Sequence, residues 1–338
     1  MPDGNPTLLQ RAEEQFQQRF SPSERQLFKL VPDGKEVDCQ RFHGPDKSIK
    51  ADLLLWLCTD PDAVAQVTNR GIYITGATIE NKLSLEWATI TFPLRFHECA
   101  FTHDIALQSS RLLFLQLSAT SIQELSAKDL VVDRSVLLHN GFWAQKTVDL
   151  SGSDIRGHLA CDGGRFLNLI ANMARIGGSV GMGEDKANRK TFTAAAGVDF
   201  TGATIDGIVN CQGGQFKRAN QSPTALSLNS TKIKGSVFLG AGFAADGTVD
   251  LRGSIVGENL DCSGGAFKSG GGHLGQDNYG FALNAASCEI KGSVYFRKKI
   301  DQNVEIQGEV GFAFASVARD FPGRLFGRDL RALPQVRH

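Results

Sequence analysis

Three near-copies of one hexapeptide constrain this chain more than any other feature. CDGGRF at 161–166 returns as CQGGQF at 211–216 and as CSGGAF at 262–267. The copies extend upstream. Asp149, Asp199 and Asp250 each stand twelve residues before the cysteine, Ile155, Ile205 and Val256 six before, and Leu159, Val209 and Leu260 two before. Between the copies lies a second motif, IGGSVGM from Ile176, IKGSVFL from Ile233 and IKGSVYF from Ile290, with starts 57 residues apart. Self-similarity at a fixed period is the signature of stacked units, each unable to bury its apolar face alone.

The spacing sets the geometry of the unit. Both motifs carry the same Ile-x-Gly-x-apolar-x-apolar skeleton, so one repeat holds two turns of chain. From the first-type Ile or Val to the next second-type Ile the distance is 21, then 28, then 34 residues. A basic turn of 21 residues has thus taken up insertions of seven and thirteen, at 217–224 and 268–280, both just after the GGxF segment. A turn of this length that returns to its starting position predicts one coil of a stacked parallel β-structure. The expected fold is mainly β, a parallel β-helix (solenoid), with strand-like alternation from Gly71 to about Val317.

Upstream, the first seventy residues read as a helical cap. Leu8–Phe20 has an amphipathic period, and Ser21, Pro22 and Glu24 form a capping-box start. A further helix is expected from Ser48 through the apolar run at 53–58, and another from Pro61, capped by Thr59 or Asp60. Residues 318–338 form a basic tail or C-terminal cap, with five Arg against two Asp from Arg319 onward. The domains expected are therefore 1–70, 71–317 and 318–338.

Composition narrows the function. Lys plus Arg equals Asp plus Glu at 36 each, which disfavours the basic face that duplex DNA requires. Phenylalanine, at 22 against 3 Tyr and 3 Trp, points to stacked dry positions, since Phe has no polar group to satisfy. The seven cysteines show no paired spacing and suggest reduced thiols. With neither a basic-then-apolar N-terminal pattern nor an apolar run of spanning length, the expected location is the cytoplasm, with membrane association if the natural chain extends beyond His338.

TGATI (75–79), SGSDI (151–155) and LSLEWATI (83–90) make the chain resemble the bacterial pentapeptide-repeat right-handed β-helices, in which every fifth side chain points inward. IKADLLLWLCTDP (49–61) followed by RGIYITGATIENKLSLEWATITFPLRF (70–96) is similar, more closely, to bacterial proteins that join a short helical N-terminus to a Gly-rich β-solenoid. Some of these carry the label "membrane-associated oxidoreductase" and continue into a membrane segment. The resemblance spans about 45–317 and implies architecture, a right-handed parallel β-helix. No nucleotide-binding glycine fingerprint follows a strand and no CxxC occurs, so no cofactor is expected.

Candidate chemistry is weighed on the same frame. Equivalent cysteines two coils apart would lie about 9.6 Å from one another, at ~4.8 Å per strand. A zinc site needs sulfurs within about 4.6 Å and a disulfide needs Cα atoms within ~7 Å, so Cys161, Cys211 and Cys262 read as a packing column. The Asp149, Asp199 and Asp250 column offers like groups where an acid–base cleft needs unlike ones, and reads as turn-forming or solvated. His97, His103, His139, His158 and His273 lack metal-ligand spacing, His97 and Cys99 being expected on one strand face. SGGGHLG (269–275) could present amides to a phosphate but reads as a loop insertion.

The two insertions leave the same corner and should protrude side by side, carrying Lys217, Arg218, Lys268, His273 and Tyr279. With Arg324, Arg328 and Arg331 of the tail, these are the candidate interaction residues. The expected role is a non-catalytic scaffold or protein-interaction module, the partner being a protein of unassigned identity. The alternatives are a self-assembling structural β-helix, a carbohydrate-processing β-helix enzyme, and a nucleic-acid or topoisomerase binder. Peripheral membrane contact would run through the tail.

Overall fold

The computed structural model describes residues 6–269, 280–298 and 303–320, with backbone alone at 324–325 and 328–329. The protein is mainly β. Two 19-stranded sheets, parallel throughout, run the length of the repeats, and the chain visits each in turn. Each strand pairs with its counterpart one coil later. Ile155 stands beside Ile176, then Ile205, Ile233, Val256, Ile290 and Val317 in unbroken register. This stacking of parallel strands is consistent with a β-helix.

Inward side chains recur at intervals of five or six. Leu150, Ile155, Cys161, Phe166, Ala171, Ile176 and Met182 are all buried. Most strands are only two or three residues long because a corner follows, and a corner needs backbone freedom. Gly163, Gly213 and Gly264, the first glycines of the repeated hexapeptide, take it with φ of +68°, +75° and +71°.

The second glycine of the pair has another reason. Gly164, Gly214 and Gly265 have no positive φ; instead each is crowded by the ring of the phenylalanine two residues on and by a carbonyl of the preceding coil, Leu138 O, Met182 O and Leu239 O in turn. Each phenylalanine belongs to a ladder that runs through Phe142, Phe166, Phe192, Phe216, Phe243 and Phe267, with successive centroids 5.2, 5.3, 5.0, 5.2 and 5.2 Å apart. Coils alternate between Gly-x-Phe and Phe-x-Ala: Phe166, Phe216 and Phe267 sit beside Ala144, Ala194 and Ala245 on neighbouring strands. The rings zigzag, each filling the space its smaller neighbour leaves. That alternation explains the two-coil period, because a core packed at crystal density accepts a large group only opposite a small one.

The N-terminal segment contains α1 (Leu8–Phe16), α2 (Pro22–Leu30), α3 (Ala51–Thr59) and α4 (Pro61–Val64). Ser21 and Glu24 form the expected capping box, Thr7 and Gln10 form another, and Asp60 caps α4. The helix expected from Ser48 begins instead at Ala51. Ser48–Lys50 is a strand, paired with Thr78–Glu80, and Val37–Asp38 pairs with Ile74–Thr75. Both sheets therefore begin inside the helical segment. α2 is tied to that edge by the Ser21 hydroxyl donating to Ser48 O at 2.7 Å and by Lys50 N donating to Glu24 Oε1 at 3.1 Å. Phe16, Phe20, Phe28 and Trp56 close the apolar end with ring contacts of 5.0–6.5 Å. Among the described residues, no helix is long and apolar enough to cross a membrane.

Candidate functional site

The cysteine column is a packing column. Cys161, Cys211 and Cys262 are fully buried and alternate with Met182 and Leu239, so no two are neighbours. All seven cysteines are free. Burial raises the thiol pKa throughout, to about 12 at Cys58, Cys99 and Cys288. A thiol held neutral at physiological pH is a poor nucleophile and a poor metal ligand.

The aspartate column makes turns. Asp149 Oδ1 accepts from Ser151 N and its hydroxyl, Asp199 Oδ1 from Thr201 N and its hydroxyl, and Asp250 Oδ1 from Arg252 N. Each carboxylate closes the corner that follows its own strand, the usual local use of Asp before a turn.

His97 and Cys99 do not share a strand face. The strand Thr89–His97 ends at the histidine, and Glu98, at φ 51°, turns the chain so that Cys99 is buried while His97 stays half-exposed. His103 Nδ1 lies 2.9 Å from the Thr102 hydroxyl, and His158 Nδ1 accepts from Ser179 N at 2.9 Å. Among the described residues, no group of three or more His, Cys, Asp or Glu is placed to hold a metal.

The loop-bearing edge is partly visible. Lys217 and Lys268 end the strands Gln215–Lys217 and Ala266–Lys268, and the coil between them places Asp246 in register with both. All three are exposed. The two insertions thus share a corner but belong to alternate coils, with the tight turn at Gly247 (φ 136°) between them. Arg218 lies against this turn, its backbone N donating to Asp246 O at 3.0 Å. The 217–224 insertion folds back over the preceding coils, where Ser222 and Thr224 close a pocket of about 280 Å³ with Asp199, Ser227 and Asn168. The buried Oδ1 of Asn168 has no hydrogen-bond partner. His273, Tyr279 and Arg331 lie outside the described residues, as does most of SGGGHLG. Arg324 and Arg328 fall in a short antiparallel hairpin, Arg324–Leu325 with Arg328–Asp329.

A second site was not foreseen. Between Val180–Gly181 and Thr193–Ala194 the chain makes an antiparallel hairpin, Glu184–Asp185 with Lys190–Thr191. It folds back over Gly163, where a Cβ would fall 2.9 Å from the Cβ atoms of both Asp185 and Lys190. Lys190 Nζ donates to Asn140 O at 3.1 Å, fastening it two coils back. The signal was in the spacing: Ile176 to Ile205 is 29 residues, eight more than Ile155 to Ile176.

Under this hairpin opens a polar cleft of about 660 Å³, lined by His139, Asp162, Glu184, Asp185 and Lys186 together with several side-chain amides. Asp162 Oδ1 accepts from Gly183 N at 2.9 Å. Burial pushes the Asp162 carboxyl above its ordinary range and holds the His139 imidazolium below its own. Hydrogen bonds from Asn188, followed by those of the turn amides, lower Asp185. His139 Nε2 is buried without a hydrogen-bond partner.

No family model, curated protein or solved structure matches this chain. The fold and these two recesses carry the functional reading.

Proposed function

We propose that the chain is a right-handed parallel β-solenoid, a relative of the pentapeptide-repeat proteins, working as a non-catalytic scaffold that binds a protein at its loop-bearing edge. The five-and-six spacing of inward residues supports the relationship, and the strong right-handed preference of crossovers between parallel strands supports the hand. One observation carries the functional reading. Lys217, Asp246 and Lys268 stand exposed on adjacent strands, at the corner where both insertions leave the coil and the first encloses a polar pocket. Extra chain at one corner of a regular stack is where such folds present binding surface. Seven free, buried thiols fit a reducing compartment, and we place the protein in a bacterial cytoplasm.

The test compares the whole chain with a variant in which 217–224 and 268–280 are replaced by short turns, both used as bait in bacterial lysate. A partner held by the first and lost by the second supports the reading. A partner held equally by both, or large self-assemblies with no partner, overturns it.

A further inference from the structure

The polar cleft under the hairpin lies on the other sheet from the loop edge, and the row of residues leading away from it suggests what it takes. Outward positions on successive strands run Gly181, Asn210, Phe238, Asp261 and Tyr295, each in register with the next. Aromatic and polar groups therefore alternate at ~4.8 Å per strand, with Phe238 and Tyr295 about 9.6 Å apart. Both rings are half-exposed, and Arg297 braces Tyr295 at 4.4 Å from its centroid.

We propose that this cleft and row bind a neutral, polyhydroxylated ligand, an oligosaccharide laid along the stacked strands. Three features combine. The cleft offers the amides of Asn140 and Gln212, which can meet a hydroxyl in either sense, with the groups left over at Asn188, which donates to Asp185 Oδ2 at 2.8 Å, and at Asn210, whose Oδ1 accepts from Gln212 N at 3.2 Å. His139 Nε2 is buried and unpaired, and a sugar hydroxyl reaching it satisfies a group that otherwise costs free energy. Phe238 and the face of Tyr295 that Arg297 leaves open accept the apolar C–H faces of the sugar rings, while Asp261 between them and Asn210 before them meet the hydroxyls. Glu184, Asp185 and Asp162 outnumber Lys186 in the lining and oppose an anionic ligand. Ala160 and Gly181 stand next to each other in the same row, and Gly181 leaves the space that the Asp162 carboxylate occupies.

This reading is independent of protein binding at the loops. Calorimetry with the full chain, using cellohexaose, maltohexaose and chitohexaose as probes, decides it. At least one hexasaccharide is expected to bind, and more tightly than its own disaccharide, because an extended row rewards length. Phe238→Ala and Gln212→Ala, both on the surface, are expected to weaken binding at least tenfold with hydrogen exchange of the coils unchanged. Removing 217–224 should leave it intact. The proposal is overturned if none of the three binds at millimolar concentration, if neither substitution matters, if length does not matter, or if spermidine binds where the saccharides do not.

Discussion

Phe216 lies across Gly214 so closely that a Cβ on that glycine would fall 2.8 Å from Cε2 of the ring. Because Gly214 does not need a positive φ, the constraint is purely one of space. Gly214→Ala is expected to destabilise the chain by about 1–3 kcal/mol through overpacking. Gly253→Ala should cost about 1–2 kcal/mol for a different reason, its φ of +61°, since its nearest neighbour is Ser230 Oγ at 3.6 Å. A double-mutant cycle in denaturant separates them. Phe216→Leu should relieve the first substitution only in part, because Met182 O would still lie 2.4 Å from the added Cβ, and should leave the second unchanged.

Thiol chemistry checks the cysteine column. With the pKa of Cys58, Cys99 and Cys288 pushed up by burial from an ordinary 9.0 to about 12, the thiolate fraction near pH 8 falls about a thousandfold. Maleimide labelling of the native chain, read by mass spectrometry, should leave all seven cysteines unmodified. Denaturant should expose them together with the coils that hold them. Rapid native labelling of Cys161, Cys211 or Cys262 would contradict a packing role.

Asp162 makes stability depend on pH in a direction opposite to most carboxylates. Its folded pKa is raised by burial above the ordinary 3.8, so the folded state holds the proton more tightly. Stability from this group is present below the unfolded pKa and is lost as pH rises through the folded one. Asp162→Asn, which keeps an acceptor for Gly183 N, is expected to raise the urea midpoint at pH 7, with the gain vanishing near pH 3. His139, depressed by burial from 6.5, acts in the other sense and removes stability as pH falls below that value. His139→Gln should flatten that part of the profile.

Asp250 differs from the other members of its column. Its side chain is 4% exposed and bonded by both the Nε and Nη2 of Arg252, whereas Asp149 is 15% exposed beside Lys128. Asp250→Ala should therefore cost about 1–3 kcal/mol, more than Asp149→Ala, because it strips a buried charge-assisted network as well as a turn. Equal costs in thermal unfolding would reduce the three aspartates to turn formers alone.

Much of this architecture was legible because it is local and periodic. The Ser21–Glu24 capping box, the 21-residue coil and the corner shared by the two insertions all follow from short-range rules applied to the sequence. Ser48–Lys50 was misread because its backbone bonds come from Thr78–Glu80, thirty residues away, and helix and strand are nearly balanced until that partner arrives. His97 and Cys99 were misread for a similar reason: one left-handed residue, Glu98, breaks the alternation that assigns them a common face. The hairpin at 184–191 left a trace in an interval of 29, but interval length alone does not say where the extra chain goes.

The sequence by itself determined the coil. Its period, its inward residues, its small corners and its cysteine column are set by steric needs within one turn of chain and the next. The tertiary structure alone decided the sites. Folding brings Asp162, Asp185 and His139 together from three coils, and joins Asn210, Phe238 and Tyr295 into one row. Such groupings depend on strand register and on the direction in which an insertion folds back, and both are fixed only when the stack is complete.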